Sequence, residues 1–302
     1  MTDPVQATTL DCLVIGGGPA GLLAAVYLAR YRRRAVVVDD GGSRLAMIPK
    51  TRNVMGFPDG IAGPELLERM RLHAARFQAT LELGRVEQLV RREDGNFEAL
   101  AGSRRLHART VLLATGARDV APDLPGLGPA LKAGQVRYCP VCDGYETQGQ
   151  RVAVLGRDVH GLREAAFVAG FGNQVTWLTM GSAHAVPDSE LAQTRKLGVV
   201  IADSPVRRID CAPGHGVHVE LAGRQRLAFD VLYPALGLVH ASQLATALGA
   251  RAREDGQLEV DEHLQTSVDG LYAAGDVACG LNQINVAAGH AAIAATAIHN
   301  RL

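Results

Sequence analysis

Aromatic side chains are scarce in this chain, 4% of 302 residues, which argues against a surface built to stack bases or sugars. No charge of either sign dominates. The 31 basic residues balance 31 acidic ones, so no electrostatic footprint for nucleic acid is visible. The run Arg32-Arg33-Arg34 is short and reads as a solvated turn after a helix. No apolar run approaches the length of a membrane span, and the N-terminus lacks the basic segment, apolar core and cleavage site of an export signal. Five cysteines do not make a disulfide scaffold in a chain this long, so the cytoplasm is the expected compartment. No metal is expected either. Cys12, Cys211 and Cys279 are isolated, and no His pair stands at ligand spacing to complete a zinc tetrad around Cys139 and Cys142.

What is present is the balance of a globular protein, 47% hydrophobic and 21% charged residues, with length enough for two ordinary domains. Cys139-Pro140-Val141-Cys142-Asp143 carries two thiols separated by two residues, with a carboxyl group immediately after them. Such a pair can close a small disulfide ring and cycle between thiolate and disulfide, and the ring geometry lowers the pKa of one thiol. A nearby carboxyl can manage the protons that such cycling takes up and releases.

A dinucleotide-binding pattern opens the chain. Cys12–Ile15 reads as a buried parallel strand, and Gly16-Gly17-Gly18-Pro19-Ala20-Gly21 as the phosphate loop. A helix follows over Leu22–Arg30, then a strand over Ala35–Val38 with Asp39 at its end. Gly16 permits the tight turn, Gly18 lets backbone approach a pyrophosphate, and Gly21 lets helix pack on strand. Asp39 is placed to accept hydrogen bonds from an adenosine ribose, and its charge disfavours a 2′-phosphorylated cofactor. Two further strand–turn units, Thr110–Ala117 and Leu271–Asp276, select FAD, with Asp276 suited to the ribityl hydroxyls.

A second, Rossmann-like unit begins at Arg151. Its strand Val152–Leu155 leads into Gly156-Arg157-Asp158-Val159-His160-Gly161, a helix over Leu162–Gly170 and the strand Val175–Leu178. Asp158 stands where the middle glycine belongs and adds bulk and negative charge at the pyrophosphate position. Thr179-Met180-Gly181-Ser182 supplies no arginine to grip a 2′-phosphate.

These separated motifs, together with Asn53–Pro58, Gly63–Leu67 and Gln283–Gly289, resemble the low-molecular-weight thioredoxin reductases over nearly the whole chain. The resemblance implies an α/β protein of two Rossmann-like three-layer domains. The FAD domain would be discontinuous, 1–118 plus 240–302, with 119–239 inserted and carrying the dithiol, and the protein would be a homodimer. It implies that Gly16, Gly18, Pro19, Ala20, Gly21, Asp39, Asn53, Thr115, Gly116, Gly275, Asp276, Gln283 and Ile284 bind FAD. It also implies that Cys142 is the flavin-side thiol, Cys139 the interchange thiol and Asp143 the proton donor or acceptor. His290 reads as a polar residue in the first turn of the last helix. The damaged second loop departs from the family pattern and makes efficient use of NADPH doubtful, leaving ferredoxin or a flavin as donor and a thioredoxin-like protein or small dithiol as partner. A dithiol oxidase passing electrons to oxygen, an NADPH-dependent reductase with an atypical loop, and a flavin-bound redox sensor are the alternatives.

Overall fold

The structure, a computed structural model, describes residues 9–211 and 216–302. The N-terminal stretch read for an export signal, and the start of the expected 1–118 segment, therefore lie partly outside the described residues, as do positions 212–215 of the expected insertion. The chain forms β1 (Leu10–Ile15), α1 (Pro19–Arg30), β2 (Ala35–Asp39), α2 (Gly63–Arg76), β3 (Thr80–Leu83), β4 (Gln88–Arg91), β5 (Phe97–Ala101), β6 (Arg104–Leu113) and β7 (Ala117–Asp119). There follow α3 (Leu127–Lys132), the short α4 (Pro140–Asp143), β8 (Arg151–Leu155), α5 (Val159–Ala169), β9 (Gln174–Leu178), α6 (Asp188–Lys196) and β10 (Val200–Ala202). Next come β11 (Val206–Cys211), β12 (Val217–Leu221), β13 (Arg226–Phe229), β14 (Val231–Pro234), β15 (Leu238–His240), α7 (Gln243–Thr246), β16 (Leu271–Ala273) and α8 (Ile284–Arg301). Two compact units result. One holds the chain through Lys50 with Val54–Arg118 and Val239–Leu302; the other holds Thr51–Asn53 and Asp119–Leu238.

The first unit is built on a sheet of order β3-β2-β1-β6-β5-β4, with β16 also paired to β6. Strand β1 is buried on both faces, which is why it reads as an unbroken apolar run. Leu13 and Ile15 enter a core with Phe97, Val111 and Leu271, while Cys12 and Val14 enter another with the alanines of α1 and α8. Parallel register aligns Ile15 with Val38 and Leu113, and Leu113 with Ala273. The turns after these strands therefore emerge along one carboxyl edge, the edge at which open α/β sheets bind ligands.

The second unit carries a parallel sheet of order β10-β9-β8-β14. Val152 and Val154 of β8 pack with Leu162, Ala165 and Trp177 on the α5 side, whereas Ala153 and Leu155 pack with Ile209, Val217 and Val219 of the antiparallel sheet β11-β12-β13. Register aligns Leu155 with Leu178 and with Pro234.

Helix starts differ from the sequence reading for identifiable reasons. Helix α1 begins at Pro19 rather than Leu22, because proline at a first helical position forfeits no needed N–H and has its φ already set. Helix α5 begins at Val159 rather than Leu162, directly after a capping Asp158. Helix α8 begins at Ile284, so His290 lies well inside it and is not a first-turn residue.

Candidate active site

At two positions of the first unit's glycine loop a Cβ would run into backbone. Gly16 adopts φ +107°, and a Cβ there would collide with the Ala114 carbonyl. A Cβ on Gly21 would strike the Gly16 carbonyl, so Gly21 is what lets α1 lie against the end of β1. Gly18 is different: a Cβ there would meet only the Ser43 hydroxyl, at 3.4 Å. Gly18 caps α1 without a side-chain hydrogen bond, no acidic residue lies in the first turn, and Pro19 and Ala20 complete that turn. The helix N-terminus thus presents backbone donors that no side chain caps, the arrangement that accepts a phosphate. A dinucleotide pyrophosphate fits this cradle.

Other residues read from the sequence gather around it. Asp39 Oδ1 accepts the Gly17 N–H at 3.0 Å, and Oδ2 lies 3.7 Å from Arg71. Thr115 donates its hydroxyl to the Ala241 carbonyl at 2.7 Å, and the Gly116 carbonyl accepts the Ala241 N–H. Gly275 approaches so closely that a Cβ there would sit 3.1 Å from Ala20 Cβ and 3.6 Å from Ala287 Cβ. That contact joins the Gly275–Asp276 turn to the glycine loop and to α8, whose cap and first residue are Gln283 and Ile284. Asp276 pairs with Arg44 at 3.1 Å, and its backbone carbonyl bonds His240 Nδ1 at 2.7 Å. Asn53 belongs to the second unit, where its Nδ2 donates to the Val141 carbonyl at 3.4 Å, between the two cysteines.

In the second unit Cys139 and Cys142 form a disulfide. Pro140 starts α4 and the Cys142 N–H returns to the Cys139 carbonyl at 2.9 Å, so a single turn brings the two sulfurs together. Both cysteines are half-buried. Asp143 is buried, and its Oδ1 accepts the Tyr233 hydroxyl at 2.7 Å while Oδ2 lies 3.3 Å from Arg137 Nη1. Burial raises the Asp143 pKa above the ordinary carboxylate range, and Tyr233 and Arg137 oppose the rise. Burial disfavours the thiolate form of the three free cysteines. Burial pushes Cys12 up to about 12 and raises Cys211 and Cys279 as well.

The second glycine turn carries a side-chain cap. The Asp158 carboxylate caps α5, accepting the His160 N–H at 2.9 Å and the Gly161 N–H at 3.3 Å. Across the same sheet edge, Asp203 accepts the Thr179 hydroxyl and the Ala183 N–H, the latter at 3.0 Å. The Ser182 hydroxyl donates to the Arg157 carbonyl at 2.5 Å. The His160, Gly161 and Ala183 amides and the Thr179 and Ser182 hydroxyls thus have partners within the chain.

Arg137 and Tyr233 were not picked out from the sequence. Tyr233 did carry a signal, since a tyrosine within the buried strand Val231–Pro234 needs a partner for its hydroxyl. Asp158 carried one too, an aspartate directly ahead of a helix.

Comparison with known proteins agrees with this geometry. The family described as pyridine nucleotide-disulphide oxidoreductase matches residues 10–291. Thioredoxin reductase of Aquifex aeolicus strain VF5 is 30% identical over 297 residues, covering 95% of this chain and 92% of the relative. Thioredoxin reductase of Bacillus subtilis strain 168 is 29% identical, covering 96% and 94%. The crystal structure of thioredoxin reductase from Streptococcus pyogenes MGAS5005 superposes with a TM-score of 0.90 at 27% identity, over 98% of each chain. The chain belongs to the pyridine nucleotide-disulphide oxidoreductase family, as a thioredoxin reductase-like, flavin-dependent disulfide oxidoreductase with a redox-active CxxC pair.

Proposed function

We propose that this chain exchanges electrons between FAD, the Cys139–Cys142 pair and the disulfide of a thioredoxin-like protein, as a cytoplasmic homodimer, and that NADPH is a poor donor to it. The observation that carries the donor assignment is the contrast between its two glycine loops. Helix α1 opens without a side-chain cap, whereas α5 opens onto the Asp158 carboxylate. A phosphate arriving at α5 must displace that carboxylate from its amides or sit beside it as a like charge. The partner assignment draws on the thioredoxin reductases the chain resembles.

Gly16, Gly18, Pro19, Ala20 and Gly21 would hold the pyrophosphate of FAD, Asp39 the ribose, and Thr115, Gly116, Gly275, Asp276, Gln283 and Ile284 the flavin half. Bound there, FAD supplies the two-electron centre. The chain's own residues do the rest. The Cys142 sulfur takes the electrons and releases Cys139. The Cys139 thiolate then attacks the substrate disulfide, forming a mixed disulfide and expelling one substrate thiolate. Cys142 attacks Cys139 of that mixed disulfide, which re-forms the Cys139–Cys142 bond and frees the second substrate thiolate. Asp143 donates and recovers the proton that this cycle moves.

Anaerobic mixing of the purified flavoprotein with NADPH, NADH or reduced ferredoxin, followed by flavin bleaching, tests the donor. Micromolar NADPH is expected to bleach slowly and reduced ferredoxin or reduced free flavin rapidly. The defect corresponds to a few kcal/mol, roughly a hundredfold in affinity. Asp158→Gly combined with Ser182→Arg should recover part of it. Rapid bleaching by micromolar NADPH in the wild type overturns the donor assignment and leaves an NADPH-dependent reductase with an unusual loop. Steady oxygen uptake with a small dithiol would instead identify a dithiol oxidase.

A further inference from the structure

Two side chains outside the dithiol motif meet the Asp143 carboxyl, one at each oxygen. Tyr233, fully buried on β14, donates to Oδ1 at 2.7 Å. Arg137, in the segment leading to the dithiol, faces Oδ2 at 3.3 Å. Their backbones are in register: Val136 bridges Leu232 in parallel, and the Arg137 N–H donates to the Leu232 carbonyl at 3.0 Å. The guanidinium is also tethered, because Arg137 Nε donates to the Gly134 carbonyl at 2.9 Å. The remaining charged group acting on Asp143 is Glu146, itself 3.6 Å from Arg52.

A buried carboxyl without partners would hold its proton too firmly to release it, and a solvent-exposed, ion-paired one would have none to give. A hydroxyl and a guanidinium at opposite oxygens support the anion without exposing it to water. We infer that Tyr233 and Arg137 are positioning residues of the disulfide chemistry, holding the Asp143 carboxyl in one orientation and stabilising the anion left when it protonates a cysteine. This rests on Asp143 as the proton donor. When two electrons from the flavin break the S–S bond, one sulfur departs as thiolate and the other takes the Asp143 proton. The new carboxylate keeps the Tyr233 and Arg137 contacts, and disulfide formation returns the proton.

The test is the pH dependence of iodoacetamide alkylation of Cys139 and Cys142 in the reduced holoprotein, read by mass spectrometry. It compares wild type, Tyr233→Phe, Arg137→Gln, Arg137→Lys, Asp143→Asn and the corresponding double variants. Losing either partner should raise the Asp143 pKa, moving the Asp143-dependent limb to higher pH by about one unit. Arg137→Lys should return it toward the wild-type profile, and neither Tyr233→Phe nor Arg137→Gln should shift anything once Asp143 is Asn. An Asp143→Asn effect with wild-type profiles in both partner variants overturns this inference and leaves Asp143 as the acid. No effect of Asp143→Asn overturns both. A partner shift that persists without Asp143 overturns the inference as well. Near-UV circular dichroism establishes that each variant is folded; if Tyr233→Phe is not, the Arg137→Gln and Arg137→Lys pair still decides.

Discussion

Asp143 and Asp158 share a side chain and differ in almost everything else. Asp143 is buried and faces a tyrosine and an arginine, with its pKa raised by burial. Asp158 stands at a helix N-terminus and is spent on two backbone amides. One faces a hydroxyl and a guanidinium inside the fold; the other caps the start of α5. The two cysteines differ in a testable way as well. Cys142→Ser should leave Cys139 to attack a thioredoxin-like disulfide and accumulate a mixed disulfide that nothing resolves, seen by non-reducing electrophoresis. Cys139→Ser should accumulate none, and both should lose disulfide turnover. Normal turnover in either variant would show that the pair is not the relay.

Among the helices, α1 and α5 occupy matching places in their sheets and start differently. Each follows a buried parallel strand and a glycine turn, yet α1 opens without a side-chain cap and α5 opens on a carboxylate cap. Helix α5 also carries Glu164, whose Oε1 is buried without a partner and whose Oε2 is 3.9 Å from His160 Nε2. Burial pushes its pKa from 4.5 up to about 7. Between those values the folded protein holds a proton that the unfolded chain has released, so stability falls as pH rises through this window and levels off above it. Glu164→Gln should therefore stabilise the protein at pH ~8 by up to about 3 kcal/mol while changing little near pH ~4. Thermal melts at both pH values check this, and an equal shift at the two would contradict it.

At the scale of the whole molecule, one FAD per chain is the expected cofactor content. The protein should purify yellow and release FAD rather than FMN on heating. Flavin-depleted protein should gain about 4 kcal/mol of stability when FAD is supplied at ~1,000 times its dissociation constant. A colourless protein that FAD neither colours nor stabilises would remove the cofactor assignment, and with it the electron path proposed above.

The α/β class and the oxidoreductase family were legible from local patterns. Strands such as Cys12–Ile15 and Val152–Leu155 are buried on both faces and so must be continuously apolar, and glycine turns have few alternatives where a Cβ cannot fit. The CxxC was legible because its sulfurs meet within a single turn. What lay beyond the sequence depended on long-range register. The approach of Tyr233 to Asp143, 90 positions away, exists because β14 lies beside β8 and the Val136 bridge aligns Arg137 with it. The contact of Asn53 with the Val141 carbonyl likewise joins segments 88 positions apart. Local spacing determines which residue types can turn, cap or form a ring; only the folded sheets decide which distant side chain reaches a buried carboxyl, since strand order and register are set by packing of the whole core.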